Sequence, residues 1–374
     1  MKIEIQTLND VLPHISYDDG IVVSERAGYT VVDYVFVTPN TFNNPMAQQC
    51  RGLKFGPDER LIARPFHKFF NIGEKEQPQD IDWTRSHVIM DKLDGSMIHP
   101  AIINDELVFM TRMGITGHAE AAFSVASDAV KRLCMDMIAL GQTPMFEFTG
   151  PGNRVVVEYA VTQLTLLAVR EVISGAYMIH ADLTALAAKY GVPVVDTFGQ
   201  VTDVDAFVAN GRALAGVEGY VVAFEDGHRL KLKADGYVLR HKALAGVAYE
   251  KNLLAWIVED ALDDVIPILH DDVAERVRVY QTRLLASVET HLSELTSFAS
   301  ALEGADRRTY AMATQARIDK RLQPVAFAIA DGKDPRAAMI KLLKRATGSE
   351  NRVEQIRDLF DLEWKGSDLV MRDI

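Results

Sequence analysis

The 374-residue chain holds two cysteines, Cys50 and Cys134. Two cannot build a disulfide framework and neither stands at a spacing that holds zinc, so a reducing compartment is expected. No stretch approaches the ~20 apolar residues needed to cross a bilayer. The opening MKIEIQTLNDVLPH lacks the apolar segment and small-residue site of a secretory leader. The expectation is a soluble cytoplasmic protein without a membrane partner. Positive charge is scarce: 40 Lys and Arg stand against 52 Asp and Glu, for a net charge of -12. This excludes a broadly basic surface, so any contact with nucleic acid must be a local patch. Candidates are Arg51, Lys54, Arg64 and Lys68, and near the other end Lys341, Lys344 and Arg345. For the late group, scattered solvated charge is the plainer reading.

What is present is enough apolar residue, 48%, for two domains with real cores. Residues 1 to about 240 read mostly as strands, in short runs such as Met97 to Ile103, Leu107 to Thr111, Val155 to Val157, Leu164 to Val169 and Tyr220 to Phe224. Asn104-Asp105-Glu106 turns the first two into a hairpin. One helix is expected between them and the later strands, with Ala122, Phe123, Ala126, Val130, Leu133, Cys134, Met137 and Ile138 on one face and Gly141 beyond its end. From about 243 the period becomes helical, with Val273, Val277, Tyr280, Leu284, Val288, Leu292 and Leu295 stepping by three or four. The fold class expected is α+β: antiparallel sheets with helices over residues 1–242, then an all-α domain over 243–374.

After the apolar run Val88-Ile89-Met90 comes Asp91-Lys92-Leu93-Asp94-Gly95-Ser96. Alone, K-x-D-G arises by chance in about one chain of this length in ten, and an exposed turn lysine would explain it. Four further elements flank it in order: Cys50-Arg51-Gly52-Leu53-Lys54-Phe55, Phe146-Glu147-Phe148, Glu218-Gly219-Tyr220 and Leu230-Lys231-Leu232-Lys233. This order resembles the motifs of the covalent nucleotidyltransferases, and a lysine that attacks phosphorus, as the resemblance implies, must be neutral, yet at a pKa of about 10.4 fewer than roughly one in a thousand is neutral at pH 7. Lys231, Lys233 and a bound metal would lower that value while neutralising phosphates. Spacing by two places both lysines on one face of a strand; the bland alternative is an edge strand guarded by lysines. Glu147 and Glu218 are carried by apolar strands, where a carboxylate needs a metal, a ribose hydroxyl or a lysine, or else a strand end facing water. Asp94 reads either as part of this site or as a turn residue beside Gly95. In Arg64-Pro65-Phe66-His67-Lys68-Phe69-Phe70-Asn71 a cation among aromatics suits phosphate and base, or a buried aromatic pair with a snorkelling lysine; His67 is read as a surface residue without a role.

Among these enzymes, QCRGLKF, ARPFHKFFNIGE, KLDGS, FEFTGPGNRVVVEY, LLAVRE, EGYVVAF, KLKADGYVLRH and DRRTYAM together are similar to the phage RNA ligase 1 family. The resemblance implies an ATP-dependent RNA ligase. Lys92 would take AMP from ATP, pass it to an RNA 5′-phosphate, and let an RNA 3′-hydroxyl displace it. It implies Mg2+, with Mn2+ able to substitute, and single-stranded or nicked RNA, tRNA among them, as substrate of a monomeric repair enzyme. Tyr34, Arg51, Lys68, Glu147, Lys231 and Lys233 would contact ATP, Phe70 would pack on adenine, and Glu218 would organise nucleotide and metal. Tyr237 looks like a residue needed for ligation. Asp263 and Asp264 look like a metal-binding pair, or by plain electrostatics an acidic helix end. The chain departs from the family at Met110-Thr111-Arg112-Met113-Gly114, where Arg112 stands near a lysine position. A DNA ligase or capping enzyme would share the lysines and glutamates but continue into a β-barrel, and a dead RNA-binding relative would have lost some of them.

Overall fold

In the computed structural model, residues 3–366 are described. The chain forms two compact units that divide between Val238 and Leu239.

The first unit contains three four-stranded sheets. In one, β1 (Ile21–Arg26), β2 (Tyr29–Tyr34), β3 (Leu53–Phe55) and β4 (Leu61–Ala63) run antiparallel in chain order, with α1 (Pro45–Gln49) between β2 and β3. The strands β5 (Phe70–Asn71), β6 (His87–Asp91), β7 (Ser96–Ile103) and β8 (Glu106–Met110) follow, then α2 (Gly117–Val125) and α3 (Asp128–Ala139). After β9 (Gln142–Thr149) and β10 (Gln163–Glu171) come α4 (His180–Tyr190) and α5 (Val204–Arg212), then β11 (Gly219–Phe224) and β12 (Arg229–Lys233). The second sheet has the order β10-β9-β7-β8 and the third β5-β12-β11-β6. In the third sheet only the short β5 runs parallel to its neighbour.

Asn104 and Asp105 do turn β7 into β8, both with positive φ (51° and 65°), the left-handed pair that a two-residue hairpin demands. Two local expectations fail. The single long helix is two, because Ser127 breaks it: its hydroxyl accepts from Val130 N at 3.3 Å and starts α3 afresh. The apolar face survives the break, with Ala119, Ala122, Ala126, Val130, Leu133, Cys134 and Met137 in one core cluster. Val155 to Val157 is not a strand, since the amides of Val156 and Val157 are committed to a carboxylate instead of a ladder.

Helix begins earlier than the change of period suggested, with α6 (Asp235–Val247) starting two residues after β12. The second unit continues through α7 (Glu250–Val258), the 30-residue α8 (Asp271–Ser300), α9 (Arg307–Arg317), α10 (Gln323–Ala330), α11 (Pro335–Ala346), α12 (Glu350–Glu354) and α13 (Arg357–Phe360). Its described residues contain no strand. The stripe from Val273 to Leu295 is the buried face of α8. No helix of the described residues is long and apolar enough to cross a membrane.

Ser127→Ala should cost about 1 kcal/mol by removing the α3 cap, read as a lowered urea midpoint at unchanged slope. An unchanged midpoint would show that the break is held by something other than the cap.

Candidate active site

Strand register assembles the centre. On β12, Lys233 sits opposite Gly219 of β11, and Tyr220 sits opposite Asp91 of β6. Lys92, one residue past β6, donates its amide to Gly219 O at 3.0 Å. Lys233, Glu218 and Lys92 therefore meet across three strand ends. Glu218 is 4% exposed, and its carboxylate bridges both ammonium groups: Oε2 to Lys92 Nζ at 2.7 Å and Oε1 to Lys233 Nζ at 2.9 Å. Burial favours protonation of Glu218, but the two lysines outweigh it and hold its pKa below the ordinary glutamate value.

This bridge overturns one expectation about Lys92. Burial alone would lower its pKa, but Glu218, with Glu147 and Asp94 behind it, raises it above the usual lysine value. Lys231 is the lysine that is lowered, to about 7, first by burial and then by Lys68, Lys92, Arg51 and Lys233. Lys231 and Lys233 do share a face of β12 as the spacing demanded. The strand lies between β5 and β11, so it is no guarded edge.

Glu147 lies on β9, opposite both Met97 of β7 and Thr165 of β10. Burial, reinforced by Glu218 and Asp94 against the opposing pull of Lys92, pushes its pKa up to about 8. Near neutrality one carboxylate of the site is thus protonated and the other ionised, the separation that assigns different roles to paired acids. Gly95 N donates to Glu147 Oε1 at 3.1 Å. A side chain at Gly95 would overlap the Phe148 carbonyl, so only glycine lets the Lys92 loop lie this close to β9.

Asp94 is 3% exposed and is a tie rather than a simple turn residue. Oδ2 accepts from Val156 N and Val157 N, both at 2.7 Å, and Oδ1 accepts from Tyr237 Oη at 2.7 Å. Its amide donates to Tyr159 Oη at 3.0 Å. One carboxylate thereby joins the Lys92 loop, the irregular 155–157 segment and the first turn of α6. Tyr237 also lies under Lys233, whose Nζ is 5.0 Å from the ring centroid.

A second cluster holds Tyr34, Lys68 and Phe70. The Lys68 ammonium stands 5.9, 5.2 and 5.3 Å from the ring centroids of Tyr34, Phe42 and Phe70. Arg51 has a buried Nη1 without a partner. Arg51 and Lys68 both act on Lys231, which links this cluster to the first. Arg112 stacks 4.5 Å from the Tyr34 ring and pairs with Asp33 at 3.3 Å. Phe42 and Tyr159 escaped the sequence reading: one is a lone aromatic in a loop, and the other does its work through a hydroxyl contact 65 residues away.

Other candidates fall elsewhere. Arg64 is fully buried and donates to the carbonyls of Ile3, Val172 and Ile173 and to Gln49 Oε1, while Lys54, also fully buried, donates to Gly52 O and Arg112 O. Neither belongs to a phosphate-facing patch, because each charge is spent on backbone carbonyls. His67 is no free surface residue: its Nδ1 lies 2.8 Å from Tyr177 Oη. Asp263 and Asp264 sit exposed on a short 3-10 turn of the second unit, and no group of three or more His, Cys, Asp or Glu among the described residues is arranged to hold a metal.

Glu218→Gln should lower the Lys92 pKa, since the ammonium loses its ionic partner; the pH dependence of Lys92 acylation, mapped by mass spectrometry, measures this. An unchanged value would mean the bridge does not exist in solution. Asp94→Ala strands a buried amide, a half-buried amide and a hydroxyl, at ~1–3 kcal/mol each before water compensates, so its urea midpoint should fall further than that of Tyr237→Phe.

The RNA ligase family model matches residues 49–242, and the model of the T4 RNA ligase 1 C-terminal domain matches residues 245–365. RNA ligase 1 of bacteriophage TS2126 is 30% identical over 258 residues, covering 65% of this chain and 63% of that protein. An archaeal ATP-dependent RNA ligase structure covers 64% of this chain and 65% of its own at 17% identity and a TM-score of 0.48. A Naegleria gruberi RNA ligase variant solved with ATP and Mn covers 42% of this chain and 52% of its own at 16% identity and a TM-score of 0.34. Since the RNA ligase model spans more than half of its residues, the chain belongs to the RNA ligase family of the T4 RNA ligase 1 type.

Proposed function

We propose that the chain is an ATP-dependent ligase that seals RNA 5′-phosphate to 3′-hydroxyl ends through AMP carried on Lys92. The observation that carries this reading is Lys92 Nζ held 2.7 Å from Glu218, with Lys231 and Lys233 in line on the adjoining strand. In the first step the neutral amine attacks the α-phosphorus of ATP, forming a P–N bond as the bond to pyrophosphate breaks. The amine proton leaves toward Glu218, the ionised carboxylate beside it. An RNA 5′-phosphate oxygen then displaces the lysine, and a 3′-hydroxyl finally attacks the activated 5′-phosphorus and expels AMP. These in-line displacements depend on positioning and charge neutralisation.

The raised pKa of Lys92 gives the first step a gate. While Glu218 holds it, the amine stays protonated. Phosphates arriving against Lys231 and Lys233 draw Lys233 from the bridge, which leaves Glu218 a better acceptor for the Lys92 proton; Glu218 is also the residue that would hold a divalent cation. Mg2+ takes oxygen ligands and retains waters, so Glu218 together with phosphate oxygens suits it, with Mn2+ as a substitute; bound there, the cation neutralises charge on the phosphates. Tyr34, Arg51, Lys68 and Phe70 are assigned to the remainder of ATP, and Asp94 and Tyr237 to holding the loop during ligation. The helical unit selects among broken RNAs, tRNA included, and the enzyme acts as a monomer in the cytoplasm.

Incubation with α-labelled ATP and Mg2+ should label wild-type protein and leave Lys92→Ala unlabelled, a loss of about 1,000-fold or more as expected for a missing covalent nucleophile. Labelling by GTP alone would replace the ligase reading with a capping reaction. Circularisation of 5′-phosphate RNA by Lys92→Ala would remove Lys92 as the nucleophile.

A further inference from the structure

The second unit holds a cavity of about 900 Å3 bounded by α10, α11 and the segment from Arg352 to Ile356. That volume lies in the range of pockets that enclose a small organic ligand. Its floor is apolar, with Phe327 and Leu342 half-buried and Ile356 buried. Its walls carry five basic residues, Arg321, Lys333, Lys341, Arg345 and Arg352, against two acidic ones, Asp331 and Asp334. On a chain of net charge -12 this concentration of positive charge is local.

The five cations divide by their partners. Arg321 is held by Asp319 and Asp358 at 2.7 and 2.6 Å, and Lys333 pairs with Asp331 at 3.1 Å. Lys341, Arg345 and Arg352 are exposed, and none forms an ion pair among the described residues. Lys341 and Arg345 are four apart on α11, so their side chains share one face over the cavity. Lys344, adjacent in sequence and equally exposed, does not line it.

We infer that this cavity takes one unpaired nucleotide of the RNA substrate, its base on the Phe327–Leu342–Ile356 floor and its flanking phosphates on Lys341, Arg345 and Arg352. A duplex backbone alone would need a basic surface and no hollow. An apolar floor under unpaired cations matches the way single strands are held, by packing bases while neutralising phosphates. The inference rests on the RNA ligase reading and gives it a recognition site carried by the second unit.

The test uses the full-length protein as wild type, Lys341→Glu/Arg345→Glu, Lys344→Glu and Ala337→Trp, the last filling the cavity from its exposed wall without changing charge. Each is assayed for Lys92 labelling by ATP, and for affinity toward a hairpin RNA nicked in its loop and the same hairpin with abasic loop positions. Labelling should be equal in all four. The double variant and Ala337→Trp should bind the nicked loop about 10-fold more weakly or worse, and Lys344→Glu within about 3-fold of wild type. Abasic positions should weaken wild type similarly and add little to the loss in Ala337→Trp. Equal losses in Lys344→Glu and the double variant, or undiminished binding by Ala337→Trp, would overturn the site. Failure of wild type to take label from ATP would instead remove the ligase reading, leaving the binding series to decide the cavity by itself.

Discussion

The Glu218 carboxylate, nearly out of solvent and shared by Lys92 and Lys233, is the constraint from which the rest of the site follows. A buried charge is tolerated only when paired, and removing one member of such a pair typically costs ~3–5 kcal/mol because the other is left uncompensated. Here one carboxylate serves two ammonium groups, so removing it would leave two lysines without their shared partner. The same arrangement keeps Lys92 charged.

Around that bridge, backbone geometry does what side chains cannot. Gly95 allows the loop after Lys92 to lie against Phe148, and Gly219, at φ 138°, allows the start of β11 to lie against the Leu232 carbonyl. Asp94 then fixes the loop from the other side by accepting from two amides and a hydroxyl. Tyr237 becomes intelligible through this contact, since its hydroxyl joins the first turn of α6 to the loop after Lys92. Two candidate cations of the first unit are placed differently: Arg64 and Lys54 spend their charge on backbone carbonyls.

Much of the architecture was legible because it rests on short-range pattern. The β7–β8 hairpin followed from Asn104-Asp105, and the face of α8 from a step of three or four. The common face of Lys231 and Lys233 followed from the two-residue period of a strand. What misled was equally local: Val155 to Val157 has strand-forming residues but gives its amides to Asp94, and Ser127 interrupts an apolar face that continues past it. Propensity is blind to a carboxylate 62 residues away.

By itself the sequence determined the RNA ligase family and the α+β class, because motif order, residue type and periodicity are properties of the chain. The tertiary structure alone decided the charge state of the site. Lys92 is raised, Lys231 lowered to about 7 and Glu147 raised to about 8, since each value depends on which charges fall within a few ångströms after folding and on how much water is excluded. It likewise decided which cations are free to meet a ligand. Lys54 and Lys68 are alike on paper, but one ends on carbonyls in the core and the other among aromatic rings, because sheet packing rather than sequence sets what surrounds each ammonium group.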